Sequence, residues 1–427
     1  MAFANGKKIK LVAGFVASKL IYLKKSKSYF PQSEIKGKKY GMEMDGYLPD
    51  PGTTKHGIVA DPDSINQPKI AAVMDNMNTS CELDLWDELV EVESFIDEIA
   101  KPRGINLALS VQKEVMELNM CRSAQAVVVT SAGFPLLTKA AKALDALEVG
   151  GTKVCFQDPD ILGTIAESGL SRFIPSDKMK EIYEDAYLGQ YSGAAQVEIA
   201  NTPIINTTGM DAAPTISAQV IKDADNNVIG LKPIKTVSGS GTGSLIAGVP
   251  YKVTGLKIRA ASGIESDKDY IVIYNKELTG VDGNKNPVYG YGIPELRLTV
   301  KGKGTNNANA WMEHNTLTGA LSGDVATFTL TPLLTASKKY AVGQCRTQDC
   351  LGYDQYKFGN LPGSDDSDVA TVDGVTVKMM QFGDGKNGVK LIRLDMTFCA
   401  KLYDHRESVT TYTLLDEPNK DLTSSPS

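Results

Sequence analysis

The spacing of apolar positions changes repeatedly along the 427-residue chain, and each change predicts an element. Residues 11–22 (LVAGFVASKLIY) place apolar side chains at helical spacing and predict an amphipathic helix whose apolar side docks on a surface. Residues 28–68 are rich in Gly, Pro and Asp and poor in periodicity. Within them Met42, Met44, Tyr47 and Leu48 flank an Asp-Gly pair at 45–46, which predicts a two-stranded ribbon that needs a partner surface. KIAAVMD (69–75) reads as a strand. Leu85, Trp86, Leu89, Val92, Phe95, Ile96 and Ile99 then follow helical spacing with acids on the other face, up to Pro102 and Gly104. A second helical run, INLALSVQKEVMELNMCRSAQA, completes a kinked rod whose first run of about 18 residues spans roughly 27 Å.

An α/β texture follows, with short connections. AVVVT (126–130) and KVCFQD (153–158) read as strands, and FPLLTKAAKALDALE (134–148) as a helix ended by Gly150 and Gly151. DPDILGTIAESGL and SDKMKEIYEDAYLGQ read as helices, and AQVEIANTPIIN as a strand with an edge proline. From about 210 to 345 the helical period vanishes. KTVSGSGTGS, YKVTGLKIRA, DYIVIYN, ELRLTVKG and ATFTLTPLL are short alternating strands, so an all-β domain is inserted into the α/β module. VTVKMMQF and KLIRLDMTFCAKLYDH supply two late strands, and the last ten residues read as a loose tail.

Charge adds an asymmetry. The net charge is −6, yet the first 40 residues carry ten lysines and one acid, a balance of +9 that leaves −15 on the remainder. A basic arm on an acidic body suits an acidic partner, including a neighbouring copy of the chain, and disfavours tight nucleic-acid binding by the body. The six cysteines lie in apolar segments or as the Cys345/Cys350 pair, with no second pair to complete a zinc site. They read as small buried hydrophobes of a reducing cytoplasm. The apolar run 11–17 is short, Lys19 interrupts its continuation and no small-x-small cleavage site follows, so it does not read as a signal sequence, and no stretch approaches the ~20 apolar residues of a membrane helix.

Candidate chemistry is sparse. SGSGTGS (238–244) lacks the lysine and the following helix of a phosphate-binding loop, so it reads as a turn. No G-x-S-x-G or H-E-x-x-H occurs, and the three histidines (His56, His314, His405) are scattered. The acids Glu82, Asp84, Asp87, Glu88, Glu91 and Glu93 fall on the outer face of the first helical run, where solvent or a subunit contact accounts for them. No catalytic residue, cofactor or metal is therefore expected, and the chain is not expected to be an enzyme.

The ordered set LALSVQKEVMELNMCRSAQAVVVTS, LDALEVGGTKVCFQDPD and IPSDKMKEIYEDAYLGQYSGAAQVEIANTPIIN resembles the major coat proteins of short-tailed lambdoid phages. The likeness covers roughly 65–210 best and extends more weakly through 210–345 and the closing strands 390–415. It implies an α+β Hong Kong 97-like capsid fold with an inserted, telokin-like all-β domain. Implied segments are an N-terminal arm (1–30), an extended loop and peripheral strand (31–81), a spine helix (82–120) and an axial domain (121–209). The insertion (210–345), an axial return (346–388), peripheral strands (389–416) and a flexible tail (417–427) complete the chain. The resemblance implies a self-assembling shell of hexamers and pentamers around DNA that is enclosed without sequence-specific binding. Scaffolding and portal proteins are the implied partners, no membrane is involved, and assembly occurs in the bacterial host cytoplasm. The family's acidic insertion loop matches KDADNNVIG (222–230), so Asp223 and Asp225 are expected at contacts between capsomers. Lys7, Lys8 and Lys10 are expected to contact scaffold or a neighbour. Alternatives are an encapsulin-like compartment of the same fold and a β-rich tail or glycan-binding protein using 210–345.

Overall fold

A computed structural model describes residues 5–30, 40–47, 69–84, 99–167, 190–191, 193–237, 245–260, 262–293, 296–301, 309–357, 359, 363–364, 366–384 and 389–415. Four sheets organise them.

The first sheet is an elongated antiparallel platform. Strand Lys69–Asp84 pairs residue by residue with Val389–Leu402, from Met74 opposite Cys399 to Asp84 opposite Val389. Val375–Asp384, Asp366–Val372 and Leu351–Gln355 continue it on one side, and Glu43–Tyr47 forms the opposite edge. Two expectations change here. The chain is still a strand at Glu82–Asp84, where a helix was expected, because these residues pair with Leu391, Lys390 and Val389. Asp45–Gly46 lies within a strand and not at a turn. Gly46 is needed because a Cβ there would meet the rings of Tyr403 (2.9 Å) and Phe30 (3.0 Å).

The long helix Lys101–Asn119 packs on this platform. Pro102 sits in its first turn, where a missing N–H costs little. Gly104 lies inside the helix and lets Val12 and Val16 approach closely (2.9 and 3.3 Å from a hypothetical Cβ). Those valines belong to helix Asn5–Lys19, whose buried face is Ile9, Val12, Ala13, Val16 and Ala17. The expected amphipathic helix thus exists, and its docking surface is the chain's own long helix and strands 366–384. Residues 85–98, the first half of the expected rod, lie outside the described residues.

The second sheet is compact and mixed. Its order is Gln125–Val129, Ser408–Leu414, Lys339–Thr347, Lys153–Gln157, Ala194–Glu198 and Gln190–Tyr191, with Ile204–Asn206 also on Lys339–Thr347. Helices Phe134–Asp145 and Pro159–Glu167 cover it, as their apolar spacing predicted, while the expected helix at 176–190 falls largely outside the described residues. Cys155 lies directly opposite Cys345, and the two are joined in a disulfide. This corrects the expectation of reduced, unpaired cysteines, since register between strands 190 residues apart was not visible in the sequence. Cys81, Cys121, Cys350 and Cys399 are free.

The insertion is a closed barrel. Pro250–Arg259, Ala310–Met312, Leu296–Val300, Val228–Leu231, Thr215–Lys222 and Val325–Pro332 pair in a ring, because Pro250–Arg259 pairs with both Ala310–Met312 and Val325–Pro332. Closure removes exposed strand edges. The corner is Gly255, at φ +80°, where the strand leaves its pairing with Val325–Pro332 and takes up Ala310–Met312. Glu265–Ile273 and Leu321–Ser322 flank the ring, and Ile234–Val237, Pro287–Ile293 and Asn275–Val281 form a small separate sheet. Helix His314–Ala320 was not anticipated in a region read as all-β. The barrel's last strand ends at Pro332. Lys339–Thr347 belongs to the compact sheet and 351–384 to the platform, so the expected boundaries at 345 and 388 shift on pairing.

Candidate interaction surfaces

The insertion is anchored by a neck of specific contacts. Tyr412 Oη donates to Gly248 O (2.7 Å), and Arg406, chelated by Asp404, donates to Ala260 O (3.1 Å). Ile271 N donates to Ala124 O (3.2 Å). Gly248, at φ +82°, has no room for a Cβ against Ile205. The glycines of LIAGVPYKVTGL (245–256) therefore mark a neck (Gly248) and a barrel corner (Gly255).

The N-terminal segment is anchored too. Arg346 is fully buried, lies against the rings of Tyr22 (4.7 Å) and Phe156 (5.0 Å), and donates to the carbonyls of Lys25, Tyr22 and Thr347. Tyr22 donates to Gln344 Oε1 (2.7 Å), and burial pushes its hydroxyl up to about 12, so it remains a donor at neutral pH. Sequence reasoning missed Arg346, because nothing local distinguishes an arginine in a buried strand from a surface one. Lys24 pairs with Asp373 (3.4 Å) and Lys27 with Asp349 (3.3 Å), so part of the arm's charge is answered within the chain. Lys10 is exposed beside Leu11, which is 53% exposed. Lys7 and Lys8 belong to the same helix, but their side chains lie outside the described residues. Exposed lysines among exposed apolar groups (Leu11, Ile21) form a strip able to receive an amphipathic acidic partner.

The acidic loop is a tight turn between Thr215–Lys222 and Val228–Leu231. Asp223 Oδ1 accepts from the backbone N–H of Asp225 (3.0 Å) and Asn227 (2.7 Å), and Oδ2 accepts from Asn227 Nδ2 (3.1 Å). These bonds hold its carboxyl below the usual range. Asn226 takes the left-handed conformation (φ +65°) that a turn glycine would. Asp223 thus shapes the loop, while Asp225 is exposed at its tip. Asp282 staples the hairpin loop 282–286 in the same manner, through Asn284 and Asn286. The loop and the N-terminal strip are separate surfaces on different elements.

SGSGTGS lies outside the described residues, bounded by strand Ile234–Val237 and buried Leu245. Among the described residues no group of three or more His, Cys, Asp or Glu could hold a metal ion, and no helix is long and apolar enough to cross a membrane.

No family model and no curated protein matches the sequence. Among solved structures the chain is similar to the capsid of Ralstonia phage GP4, at 8% identity over 89% of this chain and 86% of that one, with a TM-score of 0.45. The capsid structure of cyanophage P-SCSP1u matches at 10% identity, 92% and 88% coverage and TM-score 0.44. A chain from Mycobacterium phage Che8 matches at 11%, 88% and 86%, and 0.39. At such identities and TM-scores these likenesses carry no weight in the functional reading, which rests on the chain's own residues.

Proposed function

We propose that the chain is the major capsid protein of a short-tailed phage, with a Hong Kong 97-like fold and a telokin-like insertion. In this reading it assembles with a scaffolding protein, in the host cytoplasm, into hexamers and pentamers of an icosahedral shell. The shell carries a portal and encloses double-stranded DNA in the virion. The observation that supports this most is the joining of three shapes in one chain. An elongated platform with a long helix offers lateral contact area, a compact mixed sheet can gather at a capsomer centre, and a closed barrel is pinned between residues 206 and 339.

The sequence resemblance is best over 65–210, which supplies parts of the platform, the long helix and the compact sheet, and it extends more weakly through the barrel. The acidic body limits adhesion to packaged DNA, and modest contacts suffice because many copies close one shell. Asp225, and Lys10 with Lys7 and Lys8, are the proposed contacts to a neighbouring capsomer and to scaffold or neighbour.

Sedimentation velocity on the purified chain, alone and with a candidate scaffold, tests the reading. Conversion into a uniform, fast-sedimenting particle is expected. Reversal of Lys7, Lys8 and Lys10 to Glu is expected to leave a folded monomer that assembles poorly. Small oligomers under every condition would overturn the proposal.

A further inference from the structure

The hairpin formed by Asn275–Val281 and Pro287–Ile293 leaves the barrel and lies on the body. Asn275 Nδ2 donates to Glu117 O (3.2 Å), Arg122 donates to Lys276 O (3.3 Å), and Val281 fills the space beside Gly41 so closely that no Cβ would fit there. The charges at this joint can be accounted for one by one. Glu277 faces both Arg122 (3.7 Å) and Lys401. Glu117 faces Lys276 (3.6 Å) and Lys113 (3.9 Å), and the Lys276 ammonium lies 4.0 Å over the Tyr289 ring. On strand Val389–Leu402, Arg393 and Asp395 pair with each other. Asp282, at the hairpin tip, is held by its own loop. His405, behind Arg122 and with Nδ1 2.6 Å from Arg122 O, is pushed down to about 4 by burial and is neutral above pH 5.

Two carboxyls are left without a bonded cation. Asp75, 3% exposed, accepts from Tyr40 Oη (3.2 Å) and Asn76 N (2.8 Å). Glu114 has its Oε1 buried with no hydrogen bond, and the charge of Lys276 on the hairpin acts on it without a bonded contact. A cavity of about 30 Å³ beside Asp75, Asn119 and Arg122 has room for a water and not for an ion with its shell.

We propose that this joint is a proton-operated latch: protonated Asp75 and Glu114 hold the hairpin on the body, and their joint ionisation loosens it. Burial raises both carboxyls above their ordinary values, and for Glu114 it outweighs the opposing pull of the Lys276 ammonium. For a carboxyl raised in the docked state, docking is strongest below the ordinary value and weakens as pH climbs through the raised one. The window therefore opens near pH 4 and extends upward. Undocking returns both carboxylates to water and leaves the barrel ring closed.

Hydrogen exchange with mass spectrometry on the full chain at pH 5 and pH 8, corrected for intrinsic rates, tests this. Peptides covering 275–293 are referenced to barrel strand Val325–Pro332. The wild-type protection ratio should be lower at pH 8 than at pH 5, because both carboxyls are held raised in the docked state. In Asp75→Asn/Glu114→Gln it should stay level, and Asp75→Asn alone should show a smaller fall, which serves if the double variant does not fold. A wild-type ratio that does not change with pH, or an undiminished fall in the variants, would overturn the latch.

Discussion

Replacing Gly255 with alanine perturbs the barrel at its corner, and the cost can be worked out in two parts. The residue sits at φ +80°, where a Cβ costs about 1–2 kcal/mol. The new Cβ would also lie 2.5 Å from Thr316 Cγ2 and 3.0 Å from Thr316 Oγ1, on helix His314–Ala320, an overpacking worth about 1–3 kcal/mol. The sum is about 2–5 kcal/mol. Thr316→Ala removes both clashing atoms and leaves only Cβ, at 3.2 Å, so Gly255→Ala/Thr316→Ala should recover the steric part and keep the backbone part. Urea unfolding followed by tryptophan fluorescence reads the corner well. Trp311 is buried opposite Lys257, two residues from Gly255. With a slope of about 2 kcal/mol per molar, the single variant should lower the barrel's midpoint by about 1–2.5 M. A shift below about 0.3 M, or no recovery in the double variant, would refute the assignment of Gly255 as the corner.

Two further outcomes follow from the geometry. Asp223→Ala should release the turn, seen as faster amide exchange over 224–227, and should reduce assembly through lost loop shape. Asp225→Ala should leave exchange unchanged and affect only contacts between subunits; equal effects from the two would refute this division of roles. Alkylation of the denatured chain should modify four thiols without reductant and six with it. Opening this 190-residue loop should lower stability by about 5 kcal/mol on the chain-entropy account. Six reactive thiols without reductant would contradict the Cys155–Cys345 bond.

Elements with one buried face were legible in the sequence. Val325–Pro332 alternates exposed and buried almost strictly, and Phe134–Asp145 buries Leu136, Leu137, Ala140, Ala141 and Leu144 at helical spacing. Lys339–Thr347 was misplaced because it is buried on both faces from Tyr340 to Thr347, and a strand without alternation takes its apparent domain from its sequence neighbours. The polar second half of Lys69–Asp84 is a strand through its partner Val389–Leu402, more than 300 residues away, and non-local pairing leaves no local signal. At the candidate surfaces the same division holds. The acidic loop at 222–230 came from the family resemblance alone, and the structure adds that Asp223 is consumed in shaping its turn. The arm's apolar face was visible, whereas its capture by Arg346 depends on three segments that meet only in the fold.

The central claim is that this chain builds a shell. Electron microscopy of the expressed protein with a candidate scaffold tests it most directly. The account predicts closed particles of uniform diameter, with the compact mixed sheet at capsomer centres and the barrel's 223–227 loop at the boundary between capsomers. Discrete trimers or monomers with no closed particles, across a range of protein and scaffold concentrations, would contradict it.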